Sequence, residues 1–263
     1  AALATMALNM IALWKQEPRN VALTAPDRAR PTFSEAWRGF AADPSRRRLL
    51  VAVALGAAGF SMQDVLLEPY GGEVLSLTVS ETTVLTALFA AGTLIGLALA
   101  ARGLSRGMEP HRLAAIGPLV GVFAFSMVLF ADPLGSPLLF RVGTILIGFG
   151  GGLFAVGTMT AAMAAAKGSD AGLALGAWGA AQATAAGAAI LAGGVLRDFV
   201  SHLAGSGALG PALSTPAAGY GVVYHLEILL LFSTLVAIGP LARSSGAAER
   251  VTPKPFGLAA FPG

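Results

Sequence analysis

Long apolar runs separated by short polar connections dominate this chain. Six stretches approach the roughly 20 largely apolar residues that a helix needs to cross a bilayer: 49–70, 83–101, 113–131, 137–165, 171–195 and 220–242. The least regular is 49–70, which carries Pro69 and several polar residues in its second half. Setting it aside leaves five complete spans; keeping it, as we do, gives six. Residues 1–14 read as the tail of a helix already in progress, which predicts a chain that starts inside a longer sequence. The predicted organisation is a partial helix over 1–14, a connecting loop over 15–48, a six-helix transmembrane bundle over 49–242 and a tail over 243–263. The predicted fold class is all-α and polytopic.

Composition agrees. The 263 residues are 55% hydrophobic and only 12% charged, about half the charged share of an ordinary soluble domain. Glycine is abundant within the apolar runs. Three Gly-x-x-x-Gly patterns, Gly92 with Gly96, Gly148 with Gly152 and Gly172 with Gly176, predict close helix–helix contact. The string GFGGGLFAVG lies inside an apolar run with no strand before it, so it reads as a packing face and not as a dinucleotide loop. The absence of cysteine excludes disulfides, thiolate metal sites and a cysteine nucleophile.

The charges are arranged asymmetrically. Of the 17 basic residues, 15 fall in 15–48, in the connections around 102–112 and 167, or in the tail. The connections 71–82 and 132–136 have none, 196–219 has only Arg197, and Arg141 lies within a span. The positive-inside rule then puts 15–48 and the C-terminus in the cytoplasm. A basic face beside a membrane reads as lipid-facing, so membrane lipids are expected partners and nucleic acid is not. Within 15–48, Thr32 and Glu35 have capping-box spacing, and Phe33, Trp37 and Phe40 follow at helical intervals. A short amphipathic helix on the cytoplasmic membrane face is predicted there. The stretch 196–219, rich in Gly, Ser, Pro and Ala, reads as an irregular connection on the opposite side.

The candidate chemistry lies in the polar residues inside spans. The run SMQDVLLEPYGGEVL at 61–75 holds Gln63, Asp64, Glu68 and Tyr70. Asp64 and Glu68 are four apart and share a helix face, at depths of roughly 22 and 28 Å from the start of the span. Arg141 lies about 6 Å into its own span from the same side. A buried charge needs a partner, so Arg141 is expected to pair with Asp64 or Glu68, or to snorkel to the interface. Trp178 and Gln182 share a face of the 171–195 span, where they either meet a ligand or pack in the core. His225 and Glu227 lie near the start of the last span, and an interfacial histidine can ligate a porphyrin-type magnesium. No Ser–His–Asp arrangement, zinc spacing or P-loop is present, so no catalytic or metal-ion site is expected.

Two stretches are distinctive, SMQDVLLEPYGGEVL at 61–75 and GYGVVYHLEILLLFSTLVAIGPLAR at 219–243, with LIGFGGGLFAVGTMTAAM between them. Together they resemble the PucC/LhaA family of major-facilitator-like membrane proteins of phototrophic bacteria. The resemblance implies the C-terminal six-helix half of a twelve-helix fold, with two three-helix inverted repeats. The first helix of each repeat would face a shared cavity, bringing Gln63, Asp64, Glu68 and Arg141 toward one space. It also implies an inner (intracytoplasmic) membrane location, bacteriochlorophyll as cofactor, and partners among antenna polypeptides of light-harvesting or reaction-centre complexes and pigment-synthesis enzymes. Gln63, Glu68, Gln182 and His225 are then the candidate magnesium ligands. The connection GLSRGMEPHR keeps Gly103, Arg106 and Gly107 of a superfamily motif but lacks its usual aspartate, which argues against ordinary transporter gating. The leading expectation is a non-enzymatic light-harvesting assembly factor that binds or delivers bacteriochlorophyll. The alternatives are a proton-coupled secondary transporter using Asp64 or Glu68, and a structural subunit of a photosynthetic complex.

Overall fold

The computed structural model describes Met6 and residues 9–11, 32–166 and 171–248. The expectations for 1–14, for 15–31, for Lys167 and for the end of the tail therefore fall largely outside the described residues. The chain divides into two units, residues 1–38 and 39–263. Helix α1, Phe33–Ala41, begins in the first. Its predicted capping box forms: the Thr32 N–H donates to Glu35 Oε2 at 2.9 Å and the Glu35 N–H to Thr32 Oγ1 at 3.4 Å. The Phe33 and Trp37 rings stack at 6.4 Å. The Thr32 backbone N–H, and then its hydroxyl, hold the exposed Glu35 carboxyl below the usual carboxylate range. The ionised cap is thus fully present above the ordinary glutamate range and is lost as pH falls through that lowered value. The Thr32 amide resonance should report this by titrating below the normal glutamate value; a midpoint at the normal value would contradict it.

The second unit is helical. Its elements are α2 (Pro44–Ser61), a 3₁₀ turn (Met62–Val65), α3 (Leu67–Glu73), α4 (Val79–Ser105), α5 (Pro110–Ala131), α6 (Pro137–Ala165), α7 (Ala171–Gly205), a 3₁₀ turn (Pro211–Leu213) and α8 (Ala217–Ala248). Six segments are long and apolar enough to cross a membrane, with the first running over Pro44–Val65. Large side chains such as Leu94, Leu191, Leu229 and Val236 are exposed on them, as suits a lipid solvent. The chain is an integral membrane protein of the all-α class.

The boundaries differ from expectation where polar residues extend a helix past its apolar stretch. Asp43 caps α2 by accepting from the Ser45 N–H at 2.9 Å, so Arg46, Arg47 and Arg48 belong to the helix and not to the preceding loop. Helix α7 continues ten residues past its predicted end, to Gly205, and most of the expected irregular connection 196–219 is helical. The helix α8 likewise continues into the expected tail.

The main correction concerns 49–70, which is not one continuous helix. The α-helix stops at Ser61, the 3₁₀ turn follows, and a new helix starts at Leu67. Pro69 explains the position of the break. Its ring is excluded from a helix interior but tolerated in a first turn, and the interruption puts it in the first turn of α3.

The first span packs on the fifth and sixth, the fourth packs on the second and third, and the third meets the sixth. The fifth span also packs on the sixth. Two of the three glycine patterns mesh. An ideal Cβ on Gly92 would lie 2.0 Å from Ile145 O, and one on Gly148 would lie 2.2 Å from Phe89 O. Gly96 and Gly152 repeat the contact one turn on, so α4 and α6 touch backbone to backbone. Gly172 and Gly176 have nothing within 4 Å of such a Cβ; the third pattern makes no close contact among the described residues.

At the basic end, Pro240 lacks the N–H that Val236 O would accept within α8. Arg48 fills the gap, its guanidinium donating to Val236 O at 3.3 Å and to Ala237 O at 2.8 Å.

Candidate functional site

The break in the first span creates a polar seam against α8. Where the α-helix gives way to the 3₁₀ turn, the Gln63 N–H leaves the helical ladder. It donates instead to Glu227 Oε1 at 2.7 Å. The Gln63 side-chain amide donates to Phe60 O at 3.3 Å and to Asp64 Oδ1. Gln63 therefore holds two carboxylates, one by its backbone and one by its side chain. Gln63 is 2% exposed and Glu227 0%, whereas Asp64 reaches the surface.

Beside the seam lies an aromatic cluster. Tyr70 is buried, with its ring 5.4 Å from Phe140, 5.3 Å from Tyr220 and 5.4 Å from Tyr224. Its hydroxyl donates to Val128 O at 3.3 Å. Toward the end of α3, Arg197 pairs with Glu73 and with Asp198. It also donates to the Tyr220 hydroxyl at 2.6 Å, and that hydroxyl donates to Glu73 at 2.8 Å.

Arg141 does not pair with Asp64 or Glu68. Its guanidinium meets Glu81 at 2.8 Å, while Glu68 accepts from the Thr86 hydroxyl. The reason is the longer α4. A capping box at Thr78 and Glu81 starts that helix at Val79, which brings Glu81 level with the first turns of α6. Charge reversal at Arg141 should therefore be rescued by reversal at Glu81 and not at Glu68 or Asp64. The pair is partly exposed, so the recoverable stability is about 1 kcal/mol or less, read as the thermal midpoint in detergent. Rescue at Glu68 would overturn the pairing.

Trp178 lies against Leu49, Val53, Ala161, Ala162 and Leu241 and donates from Nε1 to Thr158 Oγ1 at 3.1 Å. Gln182, one turn on, is half-buried. Among the described residues no hydrogen bond joins either of them to Gln63, Asp64 or Glu227.

His225 stands on the opposite, exposed face of α8. Its Nδ1 lies 2.7 Å from Gly221 O. A carbonyl only accepts, so Nδ1 carries the hydrogen, and a neutral imidazole so held has its lone pair on Nε2. Val222, Leu229, Phe232 and Val236 are exposed, and their spacing from His225 places them on the same helical stripe. The arrangement is an outward-facing imidazole in an apolar surface strip.

Glu227 is the residue whose place sequence reasoning undervalued. It follows Tyr220 and Tyr224 at helical spacing, on the stripe that turns inward. The rule that singled out Asp64, an ionisable group inside a span, applies to it equally.

Comparison with known proteins fits this architecture. The chain is 50% identical over 98% of its length to a Rhodobacter capsulatus protein described as "Uncharacterized protein in puhA-bchM intergenic region", covering 55% of that protein. It is 48% identical over 95% of its length to Protein PucC of Cereibacter sphaeroides, covering 53% of it. It is 31% identical over 93% of its length to the "Bacteriochlorophyll synthase 44.5 kDa chain" of Rhodobacter capsulatus, covering 56% of it. The chain thus spans about half the length of the curated relatives it matches. The family model described as PUCC protein matches residues 1–246, and the chain belongs to the PUCC protein family.

Proposed function

We propose that this chain is the pigment-handling part of a light-harvesting assembly factor: it holds bacteriochlorophyll and delivers it to antenna polypeptides, and it catalyses no reaction. Family membership supports a role in building photosynthetic complexes, and a relative's name joins the family to bacteriochlorophyll. The observation that carries the pigment reading is His225. Bacteriochlorophyll, if bound, would supply a magnesium able to take a nitrogen donor. His225 offers one with its tautomer fixed by Gly221, and the apolar stripe around it suits a flat macrocycle. The other candidates fit less well: Glu68 is engaged by Thr86, and Gln63 is enclosed and holds Glu227 and Asp64.

In this reading the six spans are the C-terminal half of a major-facilitator-like protein of the inner (intracytoplasmic) membrane. The basic end, with the C-terminus, faces the cytoplasm. Antenna helices meet the exposed face of α8 from the lipid, beside the pigment they receive.

The test is genetic. Removing the gene from a phototrophic host should abolish antenna complexes while pigment synthesis continues, and His225→Leu should fail to restore them. Normal antenna assembly without the gene, or loss of pigment synthesis, would contradict the proposal.

A further inference from the structure

Glu227 is completely enclosed, yet only one of its oxygens is satisfied. Oε1 takes the Gln63 N–H, while Oε2 has no partner among the described residues. The Tyr224 hydroxyl, one turn back on the same stripe, is also fully buried and has no hydrogen-bond partner among the described residues. No cation pairs with Glu227 among the described residues. The ionisable groups around it are few. The 3₁₀ turn brings Asp64, and α8 itself brings Tyr224 and Tyr220. Helix α3 brings Tyr70, which stacks against both tyrosines. Helix α7 brings Arg197, already engaged by Glu73, Asp198 and Tyr220. His225 points to the exposed face and is tied to Gly221. A bare carboxylate in this position would be an uncompensated charge within a membrane span, a costly state.

We propose that Glu227 is a proton-binding site, with an exchangeable proton on Oε2 and with Asp64, linked to it through Gln63, as the group at which that proton meets the medium. Binding adds one proton to Oε2 and leaves Oε1 accepting from Gln63. Release passes the proton by way of Asp64 to water and leaves two carboxylates on the two N–H donors of one glutamine. Their repulsion then acts on the break in the first span, because Gln63 is part of it. The site thus couples proton occupancy to the 3₁₀ break between α2 and α3.

Infrared spectra of the full chain in lipid nanodiscs test this. At neutral pH the protein should show a protonated-carboxyl C=O band that shifts in D₂O. Glu227→Gln should remove the band, and Asp64→Asn should keep it while slowing its exchange. Carbon-13 labelling of glutamate in the unmodified chain should displace the same band, which keeps the test open if Glu227→Gln does not fold. No such band at neutral pH, or a band indifferent to glutamate labelling, overturns the proposal. So does a band that vanishes when sodium replaces potassium at constant pH, which would mark a sodium site. Pigment-free protein should give the same spectrum, so this outcome stands apart from the pigment reading.

Discussion

Gly148→Leu is expected to prevent the six-span bundle from forming. A Cβ at that position already falls 2.2 Å from Phe89 O and 2.9 Å from Thr93 Oγ1, and a backbone oxygen cannot swing aside as a side-chain end can. The opposing Gly92 leaves 2.0 Å to Ile145 O, so neither helix has room to give. Even Gly148→Ala forces α4 and α6 apart. Overpacking of this kind costs about 1–3 kcal/mol, and in lipid the lost contact is not replaced by hydrophobic burial, since the tails are as apolar as the helix. Gly176→Ala is the matched control: nothing lies within 4 Å of its Cβ, and alanine favours the helix by roughly 0.5–1 kcal/mol. Thermal unfolding in detergent should show a large loss for Gly148→Ala and none for Gly176→Ala. Equal midpoints would mean that α4 and α6 do not meet backbone to backbone.

Tyr70→Ala should be nearly as damaging. The ring is 2% exposed and joins α3 to Phe140 of α6 and to Tyr220 and Tyr224 of α8. Removing it leaves a cavity at the point where the short helix after the break is anchored, at a cost of about 3–5 kcal/mol. Tyr70→Phe keeps the ring and loses only the hydrogen bond to Val128 O, about 1 kcal/mol. The two variants separate packing from hydrogen bonding in one unfolding series. Comparable losses from both would show that the hydroxyl, and not the aromatic cluster, holds α3 in place.

Much of this fold is legible in the sequence because lipid imposes a simple rule: every span must be a long apolar helix. Pro137–Ala165 was readable to the residue, since Ser136 and Pro137 mark its start. The break at Met62–Val65 was signalled by Pro69 and the polar residues near it, but periodicity cannot tell a weak helix from two helices joined by a turn. Arg141 shows the limit of depth arguments. Depth alone admitted several carboxylates, and the choice of Glu81 depended on where α4 begins and on α4 lying against α6. The glycine patterns show the same limit, because spacing reveals a small face without revealing what covers it. Gly92 and Gly148 face each other, whereas Gly176 meets nothing.

The candidate site was legible in its members more than in its arrangement. Gln63 and Asp64 stood out as polar residues within a span, but their link to Glu227 depends on a contact between segments 164 residues apart. Trp178 reads equally as a ligand contact or as core, Tyr70 reads as a site candidate, and both are packed against the interior. His225 and Glu227 are two positions apart and face opposite ways, one to the surface and one to the core. Helix geometry predicts that divergence once the stripe of Tyr220, Tyr224 and Leu231 is known to turn inward.

The most direct test of the pigment reading is an absorbance spectrum of the protein isolated gently from a bacteriochlorophyll-producing host. Far-red pigment bands should accompany the protein in stoichiometric amount, and His225→Leu should lose them with its helix content unchanged. Colourless protein, or a His225→Leu variant that keeps its pigment, would contradict the account.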